Sequence, residues 1–242
     1  MIASLPMYDR PETFAATDRL WAAIRDQLRA RGIDAPNNLT RSGDPWSDWA
    51  APDLVFSQTC GLPFQSRLKG RVTAFAVPDF GLPGCPPGHY YSVIVARPGP
   101  MPAQPRLAVN EPLSQSGWAN LHTWLMAHDQ NWGGVRRTGS HRASAEAVVT
   151  GAADLAAIDA QTWRLITTYD AWASQLDVID RTPPIAGLPY IAPLGADSAA
   201  HIAALRSGIA ALQDADRAAL NLCDAIPVTE DAYADRIAPP AP

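Results

Sequence analysis

Leu107-Ala108-Val109-Asn110-Glu111-Pro112-Leu113-Ser114-Gln115-Ser116-Gly117-Trp118 is the stretch whose reading decides the fold class. Three apolar residues read as a buried strand, a polar turn follows, and Ser114 stands where a helix running to Ala127 begins. A strand feeding a helix through a short turn is a βα unit, and the rhythm recurs downstream. Residues 135–139 lead into a helix ending at 149. Residues 155–158 form a strand closing on Asp159, a helix covers 161–169, and 176–180 is the last strand of this block. Upstream, residues 1–6 are an apolar run. Pro11 then opens a helix whose apolar positions Phe14, Leu20, Trp21, Ile24 and Leu28 recur at helical spacing before Gly32 stops it. A buried strand over 53–57 ends in the polar loop 58–63, and strands follow at 72–77 and 90–96. This alternation predicts an α/β sheet with crossover helices.

Proline organises the rest. The 242 residues contain 23 prolines, about twice the usual ~5%, and they lie between apolar runs rather than in a low-complexity tract. Four of them fall within residues 97–105, a stiff connection that reads as a domain boundary. A second cluster over 183–193 reads as the return connection, and alanine-rich helices over 198–212 and 214–222 complete the fold. The expected division is a first lobe of residues 1–96 plus 188–242 and a second of 97–187. Both chain ends then fall on the first lobe, and a small ligand is expected in the cleft between lobes.

Composition narrows the function. A net charge of −5, a pI near 5.4 and a single lysine, Lys69, argue against a nucleic-acid partner, since phosphate neutralisation needs clustered Lys and Arg. Arg136-Arg137 is the one tight basic pair. The three cysteines Cys60, Cys85 and Cys223 lack CxxC spacing, so neither a disulfide framework nor a zinc ribbon is indicated, and no cofactor is expected. As written, the N-terminus has no basic and apolar leader pattern, and no stretch is long enough to span or insert into a membrane.

The candidate site residues cluster at helix starts. Ser114, Gln115, Ser116 and Gly117 combine hydroxyls, backbone N–H groups and the positive end of a helix dipole, an arrangement that holds a small anion. Ordinary N-capping by serine accounts for the same residues. Thr138, Gly139, Ser140 and His141 repeat the strand, glycine turn and helix start. Asp159 lies where a strand ends and a helix begins, either as a cap or as a carboxylate that selects a protonated oxygen or an amine on the ligand. In the first lobe Tyr8 can close over a ligand, Gln58 and Thr59 offer neutral hydrogen bonds, and Trp46 and Trp49 read as core or as an aromatic wall.

Taken in order, residues 53–58, Tyr91-Ser92-Val93-Ile94-Val95, Val109-Asn110-Glu111-Pro112 with Ser114-Gln115-Ser116-Gly117, Thr138-Gly139-Ser140-His141 and residues 153–159 resemble the phosphate, phosphite and phosphonate solute-binding proteins of ABC transporters. The resemblance covers most of the chain. It implies a two-lobed type 2 periplasmic-binding-protein fold with a hinge and no catalytic residue. The implied ligand is a phosphate- or phosphonate-like oxyanion held by Ser114, Gln115, Ser116, Gly117, His141, Asp159 and Tyr8 with the loop of Gln58 opposite, and the reading of the residues themselves adds Thr59, Thr138 and Ser140 as donors. An ABC-transporter permease is the implied partner, and the implied location is the periplasm. Lacking a leader in the chain as written, the protein could also work in the cytoplasm. Gln115 departs from the pattern, because a hydroxyl residue usually stands between the two serines. Two alternatives remain on this fold: a cytosolic enzyme of the menaquinone or thiamin-pyrimidine type using Cys60, His141 and Asp159, and a ligand-sensing module.

Overall fold

The computed structural model describes residues 1–242 and contains two compact units. Unit 1 comprises residues 1–89 and 186–236; unit 2 comprises 90–185 and 237–242. The chain runs β1 (Ile2–Ala3), α1 (Phe14–Arg29), α2 (Pro45–Trp49), β2 (Leu54–Gln58), α3 (Gly61–Pro63), β3 (Val72–Asp79), β4 (His89–Tyr90), β5 (Ser92–Ala96) and β6 (Leu107–Val109). It continues through α4 (Asn120–Ala127), β7 (Val135–Arg137), α5 (His141–Val149), β8 (Leu155–Asp159), α6 (Ala160–Tyr169), β9 (Asp177–Arg181) and β10 (Ile185–Ala186). The remainder is β11 (Tyr190–Pro193), α7 (Ser198–Ala210), α8 (Asp214–Leu220) and β12 (Asp224–Pro227).

Unit 1 is built on the sheet β1-β2-β11-β3-β12. On α1 the residues Leu20, Trp21, Ile24 and Leu28 are buried, as their spacing predicts. Trp21 meets Phe56 on β2, and Phe56 meets Phe75 and Tyr190 on the neighbouring strands. A second core of the unit gathers Trp49, Leu54, Phe64, Leu68, Ile191 and Tyr233. Trp46 packs edge-to-face on Trp49, so the tryptophan pair belongs to the core rather than to an aromatic wall.

Helices α1 and α7 lie against each other in this unit. A Cβ on Gly208 would stand 2.6 Å from Ile24 Cγ1 and 3.2 Å from the Ile24 nitrogen, so hydrogen is the only side chain that fits. Gly208→Ala is therefore expected to destabilise unit 1 by about 1–3 kcal/mol through overpacking. A thermal melt should fall by several degrees; an unchanged midpoint would show that the helices separate freely.

Unit 2 carries the sheet β7-β6-β8-β5-β9. Strand β6 runs parallel to β7 and β8, and β5 runs antiparallel to β8 and β9. Ile94, Leu107, Val109, Leu155 and Ala157 face Trp118, Leu121 and Leu125 in the core of the unit. Asp154 braces one end of this sheet by accepting from Arg97 and Arg106.

The unit boundaries differ from those read off the prolines. Strand β5 pairs in full register with β8, from Ser92 opposite Asp159 to Ala96 opposite Leu155, which places residues 90–96 in unit 2. The proline-rich segment 97–105 is thus a connection inside unit 2. The chain passes between units within β4 and β10, which pair with each other. The two chain ends also part company, because Trp118 Nε1 donates to the Pro240 carbonyl at 2.8 Å and holds residues 237–242 on unit 2. Strand β12 and the buried Tyr233, whose hydroxyl donates to the Gly187 carbonyl, lie beyond the last helix expected from the sequence.

Candidate functional site

Because β6, β7 and β8 are parallel neighbours, the turns after them gather at one edge of the unit 2 sheet, the carboxyl edge at which open α/β sheets bind ligands. Those turns contain residues 110–117 and 138–140, and Asp159 ends β8. Backbone bonds join the first two: the Thr138 amide donates to the Val109 carbonyl and the Gly139 amide to the Asn110 carbonyl, both at 2.9 Å.

The first helix opens as a single π-helical turn, Gln115–Ala119, before continuing as α4, a distortion frequent at functional sites. Ser114 caps it, its Oγ accepting from the Gly117 amide at 2.9 Å while its carbonyl accepts from Trp118 and Ala119. The amides of Gln115 and Ser116 come first in the helix and so precede any intrahelical acceptor. At Gly117 an added Cβ would stand 1.8 Å from Asn110 Oδ1. The close approach that requires glycine here is that of the Asn110 side chain.

Below the turn runs a chain of buried hydrogen bonds. Gln115 Nε2 donates to Asn120 Oδ1 at 3.0 Å, Asn120 Nδ2 donates to Ser92 Oγ at 2.9 Å, and Ser92 Oγ donates to the Ser116 carbonyl at 2.8 Å. The Ser92 amide in turn donates to Thr182 Oγ1. Sequence reasoning missed Ser92, Asn120 and Asn110. Ser92 opens β5 between the buried Tyr91 and Val93 and Asn120 sits between buried Ala119 and Leu121, and a polar residue on an apolar face was the available signal.

The second helix start comes into contact with the first. Ser116 Oγ lies 2.7 Å from His141 Nε2, across 25 residues of sequence. His141 begins α5, and Ser140 caps that helix by accepting from the Ala143 amide at 3.1 Å. Thr138 Oγ1 turns inward, 2.6 Å from Ser144 Oγ and 3.2 Å from the Val109 and Ser140 carbonyls. His141 keeps some surface exposure, but its Nδ1 is buried and makes no hydrogen bond of good geometry. Burial pushes the imidazole down to about 4, with the backbone of Ala157 opposing the shift, so the ring is neutral near pH 7. Asp159, only 1% exposed, caps α6 by accepting from the Thr162 amide at 2.9 Å and stands opposite Ser92 in the sheet register.

The remaining expected residues lie in unit 1. Gln58 is buried and donates to the Leu188 carbonyl at 3.3 Å, and Thr59 is fully buried at the end of β2. Tyr8 packs edge-to-face on Phe80. Cys60 is buried at the start of α3. No three or more His, Cys, Asp or Glu side chains are grouped so as to hold a metal ion.

Comparison with known proteins agrees with this architecture. A family model described as the periplasmic substrate-binding protein of the ABC phosphonate transporter matches residues 64–233. No curated protein matches the chain. Among solved structures, a binding-protein component of an ABC phosphonate transporter from Pseudomonas aeruginosa is 17% identical, with 96% of this chain and 82% of that chain covered and a TM-score of 0.70. PhnD1 from Prochlorococcus marinus (MIT 9301), solved in complex with methylphosphonate, is 17% identical over 96% of this chain and 94% of its own, with a TM-score of 0.69. XAC2383 from Xanthomonas citri, bound to chloride ion, is 14% identical over 96% and 92%, with a TM-score of 0.67. At these identities the structures establish the two-lobed periplasmic-binding fold.

Proposed function

The chain belongs to the family of phosphonate periplasmic substrate-binding proteins of ABC transporters, and from that premise we propose that unit 2 captures a small phosphonate- or phosphate-like oxyanion at its two helix starts. Membership of a substrate-binding family sets aside the enzyme alternative. The family is periplasmic, and no helix of this chain is long and apolar enough to cross a membrane. Delivery of the bound ligand to an ABC-transporter permease completes the reading.

The observation that carries it is the 2.7 Å contact between Ser116 Oγ and His141 Nε2, which joins the two helix starts at one point. Around that point the donors are neutral: the first amides of each helix, the hydroxyls of Ser114, Ser116 and Ser140, and the imidazole. Hydrogen bonds from such groups to an anion are charge-assisted, about twice as strong as neutral pairs. The helix dipole adds to them without a buried counter-charge. The direction of the bond between Ser116 Oγ and His141 Nε2 follows the imidazole tautomer: with the ring hydrogen on Nε2 the histidine donates and the serine hydrogen is left for the ligand, and with it on Nδ1 the serine donates. Asp159 sits opposite Ser92, where it can accept from a protonated oxygen or an amine of the ligand.

Isothermal titration calorimetry against phosphate, phosphite and methylphosphonate tests the reading. Binding of at least one is expected, and Ser116→Ala should weaken it by about 1–3 kcal/mol, the cost of leaving buried charge short of a donor. Silence across the panel, or an affinity indifferent to Ser116→Ala, would overturn it.

A further inference from the structure

Trp118 is 1% exposed, and its indole Nε1 donates but cannot accept, so burying it requires an acceptor. That acceptor is the Pro240 carbonyl, 2.8 Å away, on a segment that arrives from unit 1. The chain thus passes between units a third time, after Arg236. The Arg236 amide donates to the carbonyl of the buried Tyr233 in unit 1, and residues 237–242 belong with unit 2. Only Ile237, Ala238 and Pro239 separate Arg236 from Pro240. Proline fixes φ at 239, 240 and 242, and Ala238, Pro239 and Ala241, each preceding a proline, are held extended, so seating the segment orders little that was free. None of its six side chains is buried. A second polar hold comes from the Arg137 guanidinium, which donates to the Pro242 oxygen at 3.3 Å. A segment held by so little buried surface opens locally, far below the cost of global unfolding.

The seat lies on the turn that the oxyanion reading uses. Trp118 belongs to the π-helical turn Gln115–Ala119, its ring packs in the core of unit 2 with Leu121 and Leu125, and its amide donates to the Ser114 carbonyl at 3.1 Å. We propose that residues 237–242 are a releasable strap that regulates this site. Seated, the strap satisfies the indole and holds the turn in its binding geometry. Released, it leaves a buried donor unmatched, and the turn shifts to bring the indole to water at the expense of anion affinity. The proposal rests on the oxyanion reading above and adds its regulation. Coupling of this kind is reciprocal: the factor by which the strap raises anion affinity is the factor by which bound anion favours the seated strap.

Hydrogen exchange of the Trp118 Nε1–H reads strap release directly, by NMR on the intact chain, with the resonance assigned by its absence from Trp118→Phe. Saturation with whichever of phosphate, phosphite and methylphosphonate binds most tightly should slow that exchange by about fivefold or more. A chain shortened to end at Arg236, which loses no buried side chain, should bind the same anion more weakly by the same factor. In the Trp118→Phe background the shortening should change affinity by less than about twofold, because no indole is left for the strap to hold. Equal exchange with and without the anion overturns the proposal on the wild-type chain alone and leaves the oxyanion reading standing. Undiminished affinity of the shortened chain also overturns it, as does an equal loss in both backgrounds, which would place the effect outside Trp118. If phosphate, phosphite and methylphosphonate all fail to bind, the oxyanion reading falls and this proposal with it.

Discussion

Gly117→Ala is expected to destabilise unit 2 by about 3 kcal/mol and to abolish measurable oxyanion binding. The added methyl would overlap Asn110 Oδ1 at 1.8 Å and lie 2.8 Å from its Cγ and 3.0 Å from Ser114 Oγ. Either Asn110 swings out of the turn or the backbone of Gly117 retreats. The second movement lengthens the bond from the Gly117 amide to Ser114 Oγ, the helix cap. Overpacking of this kind costs about 1–3 kcal/mol, and loss of a serine cap adds about 1. The ligand effect follows from geometry, because the amides of Gln115 and Ser116 sit inside the displaced turn. Chemical denaturation of the single variant and of Asn110→Ala/Gly117→Ala measures the cause directly. The double variant should recover most of the lost stability; equal instability of both would locate the strain outside Asn110.

Acidification gives the second large effect. The His141 imidazole titrates near 6.5 when unfolded and about 4 when folded, because burial disfavours its charged form. Between those values the unfolded chain binds a proton that the folded chain refuses, so stability rises with pH across the window. The contribution is fully present above about pH 6.5 and is lost as pH falls toward 4, to a total of roughly 3 kcal/mol. Urea unfolding at about pH 7 and about pH 4.5 should show most of that loss in the wild type, and His141→Asn should lose distinctly less over the same interval. An equal loss in both proteins would assign the acid sensitivity to other groups. Asp154, held below the usual carboxylate range chiefly by its hydrogen bond with Arg106, gives way only at lower pH and does not mask the window.

Much of the candidate site was legible because its signals are local. Ser114, Ser140 and Asp159 each stand one residue before a helix and each accepts from an amide of its first turn. Capping and anion binding draw on the same orphan N–H groups, so the sequence could mark these positions without choosing between the two uses. The structure shows that all three cap. Contacts with Ser116 and Gln115 were not legible, since they depend on which strands lie side by side. Ser116 meets His141 because β6 and β7 are parallel neighbours, and Ser92 reaches Asn120 and Ser116 because β5 lies beside β8.

From its sequence alone, this chain determined an α/β alternation, the helix starts and the residue types gathered at them, because periodicity and capping act over a few residues. Only the tertiary structure decided that β5 belongs to unit 2, that residues 237–242 return to Trp118, and that Asn110 is the reason for Gly117. Each of these depends on strand order and side-chain approach between residues far apart in the chain. The free energy of such contacts is set by what the fold brings within about 3 Å, a distance that local sequence does not encode.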